Sequence, residues 1–186
     1  MFTPALTLEN FARRALLALL LAWGIALATP PARAVEEISP PFGLSWGVTK
    51  NRLSSLLTGA NAKVVEKRIV SGRDMWTVEG LIQTNLRRTV FYFRNDGLVE
   101  IELQYQNSAW LDSDYNSFLG LLRMSLESKY GAGKLIARSK NPQGDVIQTL
   151  TGYEWTQTTN AIQLVYFSAE SPSQIFRMVS LHYKAL

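Results

Sequence analysis

One short hairpin constrains the fold more than any other part of the chain. Residues 98–105 read Leu-Val-Glu-Ile-Glu-Leu-Gln-Tyr. This alternation puts Val99, Ile101, Leu103 and Tyr105 on one side of a strand and the acids on the other. A second run, 87–94, is separated from it by Asn95-Asp96-Gly97. Read as a three-residue loop with glycine at the left-handed position, that tripeptide joins the two runs as an antiparallel hairpin. A loop this short has no room for the crossover that parallel pairing needs. The predicted sheet therefore has one packed face and one face left available.

The remaining elements fit the same scheme. Further strands are predicted at 62–70 and 75–83, then at 145–157, 161–168 and 174–185, with 134–139 as an additional candidate. A short helix follows Thr49, whose hydroxyl suits an N-cap. Val48 and Leu53 form its hydrophobic staple, Leu53, Leu56 and Leu57 its apolar face, and Gly59 its left-handed stop. A second helix is predicted at 113–130, where Tyr115, Phe118, Leu119, Leu122, Leu126 and Tyr130 recur at helical spacing before Gly131. Leu122 is expected in the main core, between this helix and the sheet. The order predicts an α+β fold: two helices packed on a largely antiparallel sheet of about seven to eight strands. A tandem helix-plus-four-strand arrangement, with halves 42–110 and 111–186, is one topology this order allows. Gly59, Trp76, Tyr92 and Tyr105 answer Gly131, Trp155, Tyr166 and Tyr183 only loosely, with no residue-level repeat.

Ahead of this domain, residues 1–34 read as a cleaved secretory signal peptide. Arg13 and Arg14 precede a 14-residue apolar run, 15–28, and Pro30, Pro31 and Ala32-Arg33-Ala34 follow it. The run is shorter than the ~20 residues a membrane-spanning helix requires. Cleavage after Ala34 leaves a disordered, acidic, proline-containing lead-in at 35–41 and a single α+β domain at 42–186. The expected location is periplasmic or secreted, with no stable membrane anchor after cleavage. The sequence pI of about 9.4 owes much to the signal. Without Arg13, Arg14, Arg33 and Glu9, the 19 basic and 15 acidic side chains fall to 16 and 14, a net charge of +2. A surface so nearly balanced gives no reason to expect nucleic acid as a partner. The chain has no cysteine, so stability outside the cytoplasm must come from the core.

The segment Phe42-Gly43-Leu44-x-Trp46-Gly47-x-Thr49, leading into a short helix and then antiparallel strands, resembles the small exported proteins of the BamE and beta-lactamase-inhibitor-protein type. The resemblance implies helices on an antiparallel sheet, sometimes in tandem, serving as scaffolds and protein-binding modules.

Several motifs imitate catalytic or ligand sites. Gly43-Leu44-Ser45-Trp46-Gly47 matches a G-x-S-x-G elbow, and Asp145 and His182 follow in hydrolase order. An elbow needs a buried parallel strand before its serine, and here Ser39-Pro40-Pro41 stands there. Phe42, Leu44 and Trp46 are instead expected to anchor this segment to the core. His182, the single histidine, is predicted to share a solvent-facing strand side with Ser180 and Lys184, and one histidine without cysteine does not make a zinc set. Asp112-Ser113-Asp114-Tyr115-Asn116 opens like a calcium loop, but Ser117 and Arg123 stand at its required glycine and glutamate. The acids are better read as cap and first-turn residues. Gly131-Ala132-Gly133-Lys134 lacks the earlier glycine and the Ser/Thr of a phosphate loop. Trp46, Trp76, Trp110 and Trp155 are expected mostly in or at the edge of the core.

No catalytic, cofactor-binding or metal-binding residue is assigned, and no cofactor is expected. The candidate partner-binding residues are Arg88, Tyr92, Arg94, Glu100 and Glu102, which share the open side of the hairpin with Val90 and Gln104. The expected function is a non-enzymatic, exported, protein-binding or envelope-associated accessory module whose partner is another envelope or secreted protein. The alternatives are a periplasmic hydrolase with an unidentified carboxylate site and a small-ligand binder with an aromatic cleft.

Overall fold

Thr49 opens the first helix as its side chain dictates. Its hydroxyl accepts the Arg52 backbone N–H at 3.3 Å, and helix α1 runs Lys50–Gly59. Leu53 and Leu57 turn into the core, while Leu56 stays exposed at the flank. Gly59 does not supply the left-handed stop. The helix closes on Ala60, and Asn61 takes the positive φ of 54°. Asparagine tolerates that conformation through local hydrogen bonding of its short side chain.

The computed structural model describes residues 35–186. The expected signal peptide and its cleavage site lie outside the described residues. After α1 come strands β1 (Lys63–Val70), β2 (Arg73–Glu79), β3 (Leu86–Arg94) and β4 (Gly97–Tyr105). Helix α2 (Asp112–Tyr130) leads into β5 (Lys134–Gln143), β6 (Val146–Thr156), β7 (Asn160–Glu170) and β8 (Ile175–Ala185). The eight strands make one antiparallel sheet in the order β1-β2-β3-β4-β8-β7-β6-β5. Each half is one helix followed by a four-strand meander, and the two halves meet at their last strands, β4 and β8. The fold is α+β, in the tandem form.

Both helices cover the same face. Leu53 and Leu57 of α1 and Tyr115, Leu119 and Leu126 of α2 join one cluster with Phe91, Phe93, Ile101, Leu103, Leu164 and Val179 of the sheet. Each such side chain contributes about 1.5–3 kcal/mol through burial. Among the described residues, no helix lies on the opposite face, and none is long and apolar enough to cross a membrane.

The register of the defining hairpin differs from expectation in one detail. Asn95 and Asp96 both have positive φ, 50° and 67°, so the turn is a two-residue one of the primed type. Gly97 already belongs to β4, opposite Arg94. A β-bulge after Tyr92 absorbs the difference: Tyr92 faces Glu100 and Val90 faces Glu102, but Leu98 faces Phe93. Leu98, 1% exposed, therefore fills the core position expected of Val99. A side chain on Gly97 would come within 3.3 Å of the Gly47 Cα, where the segment before α1 bridges to β4 through Leu98 N–H to the Val48 carbonyl, 3.0 Å.

Three further expectations are corrected. Residues 35–41 are fixed, not disordered: Ile38 is 1% exposed, its N–H reaches Gln157 Oε1 at 2.8 Å, and its carbonyl accepts from Asn160 Nδ2 at 2.9 Å. The acids and prolines around it mask its one large apolar anchor. Phe42 does not anchor the segment; it is exposed, and Ile38, Leu44 and Trp46 pack on the core in its place. Leu122 lies half-buried at the edge of the core, because Leu119 and Leu126 are the residues that α2 turns squarely onto the sheet.

Candidate functional site

The open face follows from strand alternation. With Phe91, Ile101, Leu181 and Leu164 pointing to the helices, their neighbours on β2, β3, β4, β8 and β7 must point away. Cross-strand register then brings Tyr92 beside Glu100 and Lys184, and Val90 beside Glu102, His182 and Gln163.

Two glutamates organise the polar part of this face, and both are buried: Glu100 is 7% exposed and Glu102 6%. Glu100 accepts from Arg73 Nη1 at 2.6 Å and bonds His182 Nδ1 at 3.1 Å, with Lys184 Nζ at 3.9 Å. Glu102 accepts from the Tyr92 hydroxyl at 3.1 Å and from Gln104 Nε2 at 2.7 Å. Arg73 also stacks over the Tyr92 ring, 4.7 Å from its centroid. Burial works against ionisation of Glu100, yet the His182 and Arg73 hydrogen bonds and the Lys184 charge hold its carboxyl down at about 2. Burial, reinforced by the Glu102 charge, pushes the Tyr92 phenol well above its ordinary range. Tyr92 therefore stays protonated and donates. The network continues from Lys184 to Gln163 Oε1 at 2.7 Å and from Gln163 to Glu154 Oε1 at 2.7 Å.

Toward the other end of the face the surface becomes apolar. Val165 and Phe167 of β7 lie beside Ser180 and Met178 of β8, and Leu150 of β6 sits next to Phe167. Phe167 and Phe176 pack with ring centroids 6.1 Å apart. Leu150, Val165, Phe167, Phe176 and Met178 are half-buried, and Ser180 is buried.

Of the five residues expected to face a partner, Tyr92, Glu100 and Glu102 belong to the network, and Arg88 stands opposite Gln104 on β3. Arg94 sits exposed beside the hairpin turn, without a share in the network. Hairpin reasoning missed Arg73 and did not connect His182 to the glutamates. The alternation of β8 did place Ser180, His182 and Lys184 on one side. Joining them to Glu100 requires the β4–β8 pairing, a separation of 82 residues.

The chain Ser180–His182–Glu100 has the bonding order of a hydrolase triad, with Ser180 Oγ and His182 Nε2 3.1 Å apart. It lacks the rest of the machinery. Ser180 is 4% exposed, and its strand is paired on both edges, to β4 and to β7. Its neighbouring N–H groups are therefore committed to the ladders and do not form an oxyanion hole. Ser45 lies before α1 and Asp145 in the β5–β6 turn, so neither joins His182. Asp114 caps α2 through the Leu111 N–H at 2.8 Å, and Asp112 accepts from the Tyr166 hydroxyl at 2.7 Å. The Gly131-Ala132-Gly133 turn seats a tryptophan. Trp155 Nε1 donates to the Gly131 carbonyl at 2.8 Å, and a Cβ on Gly133 would stand 2.5 Å from the Trp155 ring.

A cavity of about 800 Å³ lies at one end of the fold, lined by Trp110, Tyr115, Gln106, Asn107, Arg87 and Arg177. Arg177 is held by Glu170 at 2.9 Å.

Compared with protein-family models, with curated proteins and with solved structures, the chain gives no match.

Proposed function

We propose that this chain is an exported, non-enzymatic protein-binding or envelope-associated accessory module that holds another envelope or secreted protein on the open face of its sheet. One observation carries the reading. The helix-free face combines a preorganised charged network around Glu100 and Glu102 with an apolar strip around Phe167. Side chains already fixed by neighbours lose little entropy on binding, and Tyr and Arg are the side chains most often found at interface hot spots. The tandem helix-plus-four-strand order is an arrangement that the resemblance to the BamE and beta-lactamase-inhibitor-protein type allows, and scaffolds of that type bind proteins.

The test compares capture from envelope extract by the parent protein and by a Tyr92→Ala, Arg94→Ala double variant. Capture of the partner should weaken by about tenfold or more at a temperature where the variant remains folded, since the change also takes the Tyr92 hydroxyl from buried Glu102 and lowers the thermal midpoint. Undiminished capture would move the partner site off this face.

The cavity beside Trp110 favours a second reading, a small-ligand binder, since about 800 Å³ lies within the ordinary range for ligand sites. Quenching of Trp110 fluorescence by soluble oligosaccharides, lost in Trp110→Phe, would support it. A flat titration would remove it.

A further inference from the structure

Phe42 carries a backbone strain that its surroundings do not explain. Its φ of 63° and ψ of 21° fall in the left-handed region, which bulky side chains rarely adopt. Six non-glycine residues have positive φ among the described residues: Asn61, Asn85, Asn95, Asp96, Ser71 and Phe42. The other five have short polar side chains, which ease that conformation through local hydrogen bonds. Phe42 has none, and its ring is 42% exposed, so burial does not offset the strain either. Strain of this kind concentrates at ligand clamps.

The ring borders a groove of about 280 Å³ that runs beside α2 on the helix-covered face. Leu103 of β4 and Leu181 of β8 are cross-strand neighbours on its floor, and Leu122 and Leu126 of α2 form a wall. Along the β4–β8 pair, Tyr105 lies on one side of that leucine row and Tyr183 on the other. Tyr105 is satisfied, since its hydroxyl accepts from Gln83 Nε2 at 2.8 Å. The hydroxyls of Tyr183 and of Tyr130, at the end of α2, have no hydrogen-bond partner among the described residues. Burial raises both phenols, helped by the Glu36 charge at Tyr130 and by Tyr130 and Tyr105 at Tyr183, so both keep a proton to donate. At the rim, Lys129 Nζ stands 3.8 Å from Glu36 Oε2, and these opposite charges leave the mouth neutral. The volume equals that of about nine waters.

We propose that this groove binds an unbranched aliphatic chain of about eight carbons ending in a neutral oxygen, that of an alcohol, ester or amide. The chain lies on Leu103 and Leu181 against Leu122 and Leu126, the oxygen accepts from Tyr130 and Tyr183, and the Phe42 ring closes over the chain. Contact with the ligand then offsets the strain at Phe42. The groove lies on the opposite side of the sheet from the open face, so this site does not depend on the protein-binding reading.

Titration of the ¹⁵N-labelled protein with 1-octanol tests this. The Leu126, Leu181 and Tyr183 amides should shift saturably, with half-saturation at about 0.1–1 mM. 1-Butanol, shorter by four methylenes, should bind about a hundredfold more weakly, and octanoate about tenfold more weakly, because its charge meets Glu36 beside Tyr130. Ser125 lines the groove from an exposed position on α2, so Ser125→Phe should fill the groove and abolish the saturable shifts. Phe42→Gly should bind about fivefold more weakly without a lower thermal midpoint, since glycine adopts that φ freely, and it preserves the test if Ser125→Phe folds poorly. Tyr183→Phe, which loses only the hydroxyl, should also bind about fivefold more weakly. Shifts that grow linearly with 1-octanol, or that are as large at the outward-facing Leu121 and Met124, mean partition onto apolar surface and overturn the site. Tighter binding of octanoate than of 1-octanol overturns the neutral head group. Undiminished affinity in Phe42→Gly overturns closure by that ring, and undiminished affinity in Ser125→Phe as well overturns the groove.

Discussion

Glu100 shows how a strand residue becomes a charge centre. In isolation its alternation marks it as solvent-facing, yet β2 and β8 bring Arg73, His182 and Lys184 to it and leave it 7% exposed. Its carboxyl is held near 2 against an ordinary 4.5. A depressed carboxyl stabilises the fold above its unfolded value, and that contribution disappears as pH falls toward the folded one. Between pH 4.5 and 2 the parent protein should lose about 3 kcal/mol that Glu100→Gln does not lose. Chemical denaturation across that range measures the difference, and parallel pH curves for the two proteins would refute the role given to Glu100.

Among the elements, α2 separates periodicity from burial. Its apolar positions follow helical spacing over most of its 19 residues, but only Tyr115, Leu119 and Leu126 are fully buried. Leu126→Ala should cost about 2–5 kcal/mol in denaturant unfolding. Leu122→Ala, at the edge of the core, should cost roughly half as much, and equal costs would contradict the orientation of the helix. The β3–β4 hairpin makes a similar point. Its turn type and bulge compensate, so the Tyr92–Glu100 pairing survives while Leu98 and Val99 exchange places.

For the whole molecule, the segment before α1 is tied to the second half of the chain. The Glu36 N–H reaches the Lys129 carbonyl at 3.1 Å, and Ile38 is locked to β6 and β7 through Gln157 and Asn160. An export signal ending at Ala34 would leave this clasp intact. Intact-mass measurement on protein from the periplasmic fraction should therefore give a chain starting at Val35, and a mass that retains residues 15–28 would overturn the proposed localisation. The sequence by itself determined the α+β class, the strands, the Thr49 cap, the antiparallel hairpin and the face carrying Arg88, Tyr92, Glu100 and Glu102. Period-two and helical spacing are local, and a few neighbouring residues suffice to express them. Only the tertiary structure decided that the halves join through β4 and β8, that His182 and Arg73 converge on Glu100, and that Ile38 anchors the segment before α1. Each of these depends on contacts between residues distant along the chain, where strand order is set by which packed faces can share one core.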